Sequence, residues 1–117
     1  MIERERPRLV LIESPFAHDE ARNRRYLAAC LRDCLLKGEA PMASHAIYTL
    51  PGVLNDRLPH EREIGMAAGW AWLRAVSVVK VYLDLGWSPG MREGVRRAKA
   101  AGVPVQNHFL SGKWFHE

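Results

Sequence analysis

Short apolar runs alternate with helical patterns along the chain. Between the runs, apolar residues recur at three- and four-residue intervals over 19–37 and 59–74, and a third helix is predicted from Pro89 to Gly102. The apolar runs have lengths typical of strands and lie at 9–12, 40–43, 76–83 and 103–107. The resulting β-α-β-α-β-α-β order predicts an α/β protein with a parallel sheet, right-handed crossovers and helices on both faces.

The composition is that of a globular protein. With 117 residues, 48% of them apolar and 26% charged, we expect one domain over 1–117 with a polar tail at 109–117, where Trp114 and Phe115 are candidates to dock on a neighbour. No apolar run approaches the roughly 20 residues of a membrane helix, and the N-terminus lacks a signal-peptide core, so we expect no membrane contact and a cytoplasmic location. Cys30 and Cys34 are predicted to be reduced, without a zinc pattern, and neither a metal nor a cofactor is expected.

The net charge of +4 raises the question of nucleic-acid binding. The basic residues are spread along the chain and alternate with acids, and no basic groove interleaved with aromatic residues is visible. A small phosphorylated ligand explains the same arginines more economically. A nucleic-acid or protein-binding module remains an alternative that rests on charge alone.

Three segments are predicted to meet at the carboxyl edge of the sheet: Ser14-Pro15-Phe16, Ser44-His45 and the stretch from Asp84 to Gly90. Ser88 has the chemistry of a helix N-cap, and Pro89 suits the first helical position because proline lacks an N–H. Free N–H groups and the helix dipole would then favour an anion beside Gly90 and Met91. A simple connection between strand and helix is the alternative.

Three side chains near this edge are candidates to frame a ligand. His45 is suited to acid–base work or to hydrogen bonding, with a bond to nearby backbone as the alternative. Tyr48 follows it closely. Trp87 lies in the turn itself, where it would either stack on a nucleobase or cover the edge of the sheet as an apolar plug.

Several acids are close enough in sequence to approach this edge: Glu13, Asp84, Glu61, Glu63 and Glu93. Asp84 is the best placed, since it ends a buried strand where burial would perturb its pKa. Glu63 and Glu93 lie near helix starts, where favourable interaction with the helix dipole is an alternative explanation. A pair of carboxyl groups would suit chemistry at a glycosidic bond.

Several short motifs together resemble the nucleoside 2-deoxyribosyltransferase-like group, especially its small phage and bacterial relatives. The motifs are Ser14-Pro15-Phe16, Arg22-Asn23-x-x-Tyr26 and Asp84-x-Gly-x-Ser-x-Gly-Met. The resemblance implies a flavodoxin-like (Rossmann-like) three-layer fold with four to five parallel strands. It also implies a homo-oligomer and a nucleoside or nucleotide ligand whose N-glycosidic bond the enzymes of the group break or exchange.

The chain departs from the group at both expected acids. The position of the group's nucleophilic glutamate, four residues after Gly90, is Gly94, and the neighbouring Glu93 is turned by about 100° on a helix. The position of an expected aspartate on the preceding helix is Gly69, with Glu63 nearly two turns earlier.

These observations lead to one main hypothesis and one close rival. In the first, Ser14 to Phe16 and Ser88 to Met91 hold a phosphate or sugar while Arg22 and Asn23 add charge and hydrogen bonds. The candidates to frame the base are His45, Tyr48 and Trp87, and the candidates for N-glycosidic hydrolysis or deoxyribosyl transfer are Asp84, Glu63 and Glu93. In the rival, the same pocket captures or senses a nucleotide, including a signalling nucleotide, without cutting it.

Overall fold

The strands and helices follow the predicted alternation in a computed structural model that describes residues 6–110 and 114. The strands are β1 (Leu9–Glu13), β2 (Ala40–Met42), β3 (Val78–Tyr82) and β4 (Val105–His108). The helices are α1 (Glu20–Leu36), α2 (Ser44–Ile47), α3 (Pro59–Ala71) and α4 (Pro89–Ala100), and a 3₁₀ turn over Trp72–Arg74 follows α3.

The four strands form one sheet in the order β2-β1-β3-β4, and all neighbouring pairs are parallel. Parallel pairing requires crossover connections, and the helices between the strands supply them. This arrangement confirms the predicted α/β fold with a parallel sheet. Because β1 and β3 are the central strands, the loops that follow them start side by side at the carboxyl edge.

The two faces of the sheet carry separate apolar cores. Val10, Ile12, Val78 and Tyr82 pack with α1 on one face. On the other face, the sheet and helix residues in contact are Leu11, Val79, Val81, Trp70, Met91 and Ala98. Since successive strand residues point to opposite faces, Glu13 follows Leu11 toward α3 and α4.

The structure corrects several details of the predicted elements. Strand β3 is shorter than predicted, β4 starts two residues later, and the four-residue helix α2 was not predicted. Trp114 contacts the chain's own Tyr26, with ring centroids 4.9 Å apart, and packs against the α1-side core. Phe115 lies outside the described residues.

Among residues 6–110 and 114, no helix is both long and apolar enough to span a membrane.

Candidate functional site

A cavity of about 250 Å³ opens at the carboxyl ends of the central strands, and we call it the strand-end cavity. It is bounded by the loop after β1, the start of α2, one side of α3 and the first turn of α4. Its lining includes Glu13, Ser14, Pro15, Phe16, His18, Ser44, His45, Asp56, Arg62, Met66, Gly69, Trp70, Ser88, Pro89, Gly90 and Met91. The three segments predicted to converge therefore all contribute to one cavity.

The first turn of α4 forms one wall of the strand-end cavity. Ser88 is its N-cap, with the Met91 backbone N–H donating to Ser88 Oγ at 3.2 Å, and Pro89 occupies the first turn. The capping bond satisfies one of the N–H groups that a helix start leaves without an intrahelical partner. The remaining N–H groups and the helix dipole make this wall favourable for an anion or for ligand oxygen atoms.

Ser14 and His45 form a hydrogen-bonded pair on the opposite wall. Ser14 Oγ lies 2.9 Å from His45 Nε2, and Ser14 is buried. Burial, helped by the nearby charge of Arg24, lowers the pKa of His45 to about 4, so the imidazole is neutral at pH 7. The Phe16 ring meets His45 edge-on, with centroids 5.9 Å apart. A neutral imidazole held by two neighbours can present one fixed tautomer to a ligand.

Glu13 contributes a carboxyl group to the lining of the strand-end cavity. Its side chain is partly buried, and this loss of solvent raises its pKa to about 8. No described residue donates a hydrogen bond to its carboxyl group. At neutral pH most Glu13 side chains are therefore protonated and carry an O–H that can be donated to a ligand.

Gly94 makes room for this carboxyl group. An ideal Cβ placed on Gly94 would lie 2.8 Å from Glu13 Oε1 and closer still to Oε2, which is shorter than real Cβ contacts. Gly94 is buried on the inner face of α4 together with Met91 and Ala98. Any larger residue at position 94 would compete with Glu13 for the same space.

A second glycine, Gly69, has the same relationship with a polar side chain. An ideal Cβ on Gly69 would lie 2.5 Å from Ser44 Oγ. Both positions where the resemblance places an acid are thus glycines, and the volume beside each is filled from another element. Ser44 fills the space at α3, and Glu13 fills it at α4.

One ion pair contributes to the lining of the strand-end cavity. Arg62 Nη1 donates to Asp56 Oδ2 at 2.9 Å, which ties the loop before α3 to that helix. Arg62 is exposed, so an anionic group of a ligand can replace or share its carboxylate partner.

The three predicted catalytic acids are not in the strand-end cavity. Asp84 lies on the α1 side of the sheet, where its Oδ1 accepts hydrogen bonds from Tyr26 Oη at 2.6 Å and from the Leu110 backbone N–H at 2.8 Å. Glu63 is exposed on α3. Glu93 accepts hydrogen bonds from Arg96 and Arg97, which lower its pKa to about 2.

Four of the predicted ligand-binding residues also lie elsewhere. Arg22 donates to the Asn23 side-chain oxygen, and the Asn23 amide donates at 3.0 Å to the backbone oxygen atoms of Phe16 and Ala17. These two residues therefore hold the loop after β1 in place from behind. Tyr48 accepts a hydrogen bond from Trp72 Nε1 at 2.9 Å. Trp87 is 39% exposed beneath the Arg92 guanidinium.

The sequence places Glu13 close to this edge, but the catalytic candidates that it favours are Asp84, Glu63 and Glu93. The available signal was Gly94, because Met91, Gly94 and Ala98 fall on one face of a helix. A glycine on an otherwise buried helical face indicates that another group approaches it closely.

An open groove of about 500 Å³, which we call the outer groove, adjoins the strand-end cavity and shares Phe16 and Asp56 with it. It is formed mainly by residues 49–57, with Glu20 and Arg24 on the other side. Although it is larger, it contains neither the helix N-terminus nor the Ser14–His45 pair. The convergent polar groups that orient a ligand are in the strand-end cavity.

Within the part of the chain that the structure describes, no group of three or more His, Cys, Asp and Glu side chains could hold a metal ion.

Comparisons with known proteins give a family and a structural neighbour. The family model described as Domain of unknown function (DUF7768) matches residues 8–108. Among solved structures, the chain is similar to a 2-deoxyribosyltransferase from the psychrotolerant bacterium Bacillus psychrosaccharolyticus, with a TM-score of 0.63 and 18% identity over 89% of this chain and 74% of that one. No curated protein matches the chain. At this identity the structural likeness shows a shared fold.

Proposed function

This chain belongs to the family Domain of unknown function (DUF7768), and we propose that it binds a nucleoside or nucleotide in the strand-end cavity. The observation that carries the proposal is the convergence of an N-capped helix start, a neutral His45 and a protonated Glu13 around one cavity of about 250 Å³. The fold shared with a 2-deoxyribosyltransferase supports the same ligand class.

The walls of the cavity match the parts of such a ligand. Apolar side chains of Phe16, Met66 and Trp70 can cover a base, while the turn from Ser88 to Met91 can donate hydrogen bonds to the oxygen atoms of a sugar or phosphate. Arg62 adds a cation to the lining. The two kinds of wall belong to one cavity, as an amphiphilic ligand with an apolar ring and an anionic end requires.

The reaction class that fits this arrangement is cleavage or exchange of an N-glycosidic bond. This bond breaks most readily when the departing base is protonated, and Glu13 offers a carboxylic acid inside the cavity at neutral pH. The second candidate function is capture of the nucleotide without cleavage. It is favoured by the positions of Asp84, Glu63 and Glu93, since none of these three carboxyl groups lines the cavity.

One experiment separates these functions. The protein is incubated with an equimolar panel of 2′-deoxynucleosides, ribonucleosides and their 5′-monophosphates, and the ultrafiltrate is chromatographed against a protein-free control. Free base in the filtrate supports cleavage, whereas loss of an intact compound supports capture. A filtrate identical to the control would contradict the proposal.

Two arginine variants locate the binding site. Arg62 lines the strand-end cavity and Arg57 lines the outer groove. We expect Arg62→Ala to weaken the binding of a retained monophosphate about tenfold or more, in line with the 1.5–3 kcal/mol of a charged hydrogen bond. Arg57→Ala should leave that affinity within a factor of two. A larger loss of affinity in Arg57→Ala than in Arg62→Ala would place the ligand in the outer groove.

A further inference from the structure

The Glu13 carboxyl group has a position that packing alone does not explain. It lies at the end of a central strand, in the space beside Gly94 of α4, and no described residue donates a hydrogen bond to it. Among the described residues, no buried polar side-chain atom lacks a hydrogen-bond partner, so the oxygen atoms of this carboxyl group, which have none, are accessible from the cavity. A partly buried carboxyl group that lines a cavity and has no protein partner is available to a ligand, and its desolvated position is typical of functional sites.

We propose that Glu13 is the catalytic acid of the strand-end cavity, which hands its proton to the base of a bound nucleoside as the N-glycosidic bond breaks. This inference rests on the proposed function and names the residue that performs it. Gly94 is its positioning partner, because only a residue without a side chain leaves room for the carboxyl group on the cavity side of α4.

The step balances with water as the second reactant. The Glu13 O–H transfers its proton to a ring nitrogen of the base, and the electron pair of the C1′–N bond moves to the base as that bond breaks. The oxygen of a water molecule forms the new bond to C1′, and the proton that it loses returns to the Glu13 carboxylate. The products are the free base and a sugar with a hydroxyl group on C1′.

The other titratable groups of the cavity are compatible with this role. The loop after β1 contributes His18, and helix α2 contributes His45. The loop before α3 contributes Asp56, and α3 contributes Arg62. Helix α4 faces Glu13 with Gly94 and lines the cavity with Met91, neither of which is charged. His45 is neutral above about pH 5, and Asp56 is paired with Arg62. Burial is the cause that raises the pKa of Glu13.

The first test needs no ligand. Protein labelled with ¹³C at the glutamate carboxyl carbon is titrated by NMR, and the Glu13 resonance is identified by its loss in Glu13→Gln. We expect a midpoint near pH 8. A midpoint below about 5.5, within the ordinary range of glutamates, would overturn the proposal.

The second test measures base release from the 2′-deoxynucleoside panel between pH 6 and 9.5. We expect turnover to fall about tenfold per pH unit above 8, as the acid form of Glu13 is lost. Glu13→Gln should lower turnover 100-fold or more, in the range typical of a lost general acid. Its affinity for the nucleoside should stay within a few-fold, because the amide keeps the shape and a donor. Glu63→Gln serves as the surface comparison on α3 and should change neither quantity.

A relocated carboxyl group guards against a purely structural effect of the substitution. In Glu13→Ala combined with Gly94→Asp, the new carboxyl carbon lies one bond beyond the Cβ that would overlap the Glu13 carboxyl group. We expect the turnover of this double variant to be at least tenfold higher than that of Glu13→Ala alone. Recovery with a pH limit moved to the pKa of the new acid supports the proposal, and no recovery combined with full activity of Glu13→Gln overturns it.

Failure of this inference can be distinguished from failure of the proposed function. If the wild-type protein retains a nucleoside but releases no base, or if Glu13→Gln keeps full turnover, Glu13 is not the acid while the binding site stands. If turnover rises through pH 8, the carboxylate is the active form and the acid role is excluded. If no panel compound is retained or cut, the proposed function falls and this inference falls with it.

Discussion

The carboxyl group of Glu13, at the end of β1, occupies the space into which a side chain at position 94 of α4 would project. An ideal Cβ on Gly94 would overlap both carboxyl oxygen atoms. The strand and the helix thus share one small volume, and the chain fills it with an acid from the strand. A substitution at either position should therefore change the packing of the other residue.

Gly94→Ala tests this coupling. The new methyl group must displace the end of a flexible glutamate side chain, so we expect Glu13 to swing toward the cavity and its pKa to fall from about 8 toward its ordinary value. Carboxyl-carbon NMR measures the shift. Gly65→Ala is the matched control on α3, since its Cβ would meet a Leu54 methyl group at 3.3 Å and lies away from Glu13. A Glu13 pKa that stays near 8 in Gly94→Ala would contradict the shared volume.

The pH dependence of stability gives a separate prediction for Glu13. Its pKa is about 8 in the folded protein against 4.5 for the ordinary group, so the folded state holds the proton more tightly and loses stability as pH rises from about 4.5 to 8. Between pH 6.5 and 8 we expect a loss of roughly 2 kcal/mol relative to Glu13→Gln, because the contribution of His45 is the same in both proteins. Urea denaturation at several pH values measures it. Glu13→Gln should be flatter over this window, and identical slopes in the two proteins would exclude the raised pKa.

The order of strands and helices was predictable because the sequence features that specify each element are local. The β-branched run of β3 and the cap at Asp19, whose Oδ1 accepts from the Arg22 N–H at 3.2 Å, depend on neighbours in sequence. The short helix α2 was missed because four residues at a strand end carry no periodicity. The sequence makes Trp114 a candidate to dock on a neighbour, because nothing in the tail shows that Tyr26 and Leu110 leave a place for it.

The site was harder to predict than the fold, since the face on which a strand-end acid lies decides its role. Glu13 ends β1 and Asp84 follows the end of β3 by two residues, but Asp84 lies on the α1 face, where it accepts a hydrogen bond from Tyr26. The apolar residues of β1 and β3 are buried on both faces, so their pattern does not show which face is which. Only the pairing of Glu13 with Gly94 separates the two acids, and it joins residues 81 positions apart.

Ser88→Ala should impair both stability and binding. The substitution removes the Ser88 hydroxyl group that accepts a hydrogen bond from the Met91 N–H, and this should lower the free energy of unfolding by about 1 kcal/mol. It should also weaken the binding of a retained monophosphate several-fold. Asp19→Ala is the matched control, since it removes the equivalent cap of α1 and does not line the strand-end cavity. We expect a similar loss of stability there with unchanged affinity, as measured by thermal unfolding and ligand titration. Unchanged affinity in Ser88→Ala would remove the α4 turn from the binding site.

Single Gln substitutions at Glu13, Glu63 and Glu93 rank the candidate acids. Two arginines lower the pKa of Glu93 to about 2, so this residue is ionised at neutral pH and is a poor proton donor. Glu63 is exposed on the surface of α3. We therefore expect base release to drop in Glu13→Gln and to stay within about twofold of wild type in the other two. Loss of turnover in Glu93→Gln with normal stability would instead return the catalytic role to α4.

His45 predicts the acid limb of the stability profile. Its folded pKa of about 4 is below the ordinary 6.5, so the folded state resists protonation and stability falls as pH decreases from 6.5 to 4. The Glu13 effect runs in the opposite direction over the same range, so we would compare His45 and His45→Gln in the Glu13→Gln background. In that background, the free energy of unfolding of the protein that retains His45 should fall by roughly 3 kcal/mol between pH 6.5 and 4, relative to the protein that carries His45→Gln. Stability profiles with the same pH dependence in the two proteins would mean that His45 charges freely in the folded state, and the Ser14–His45 pair would then present a cation to the ligand below about pH 6.5.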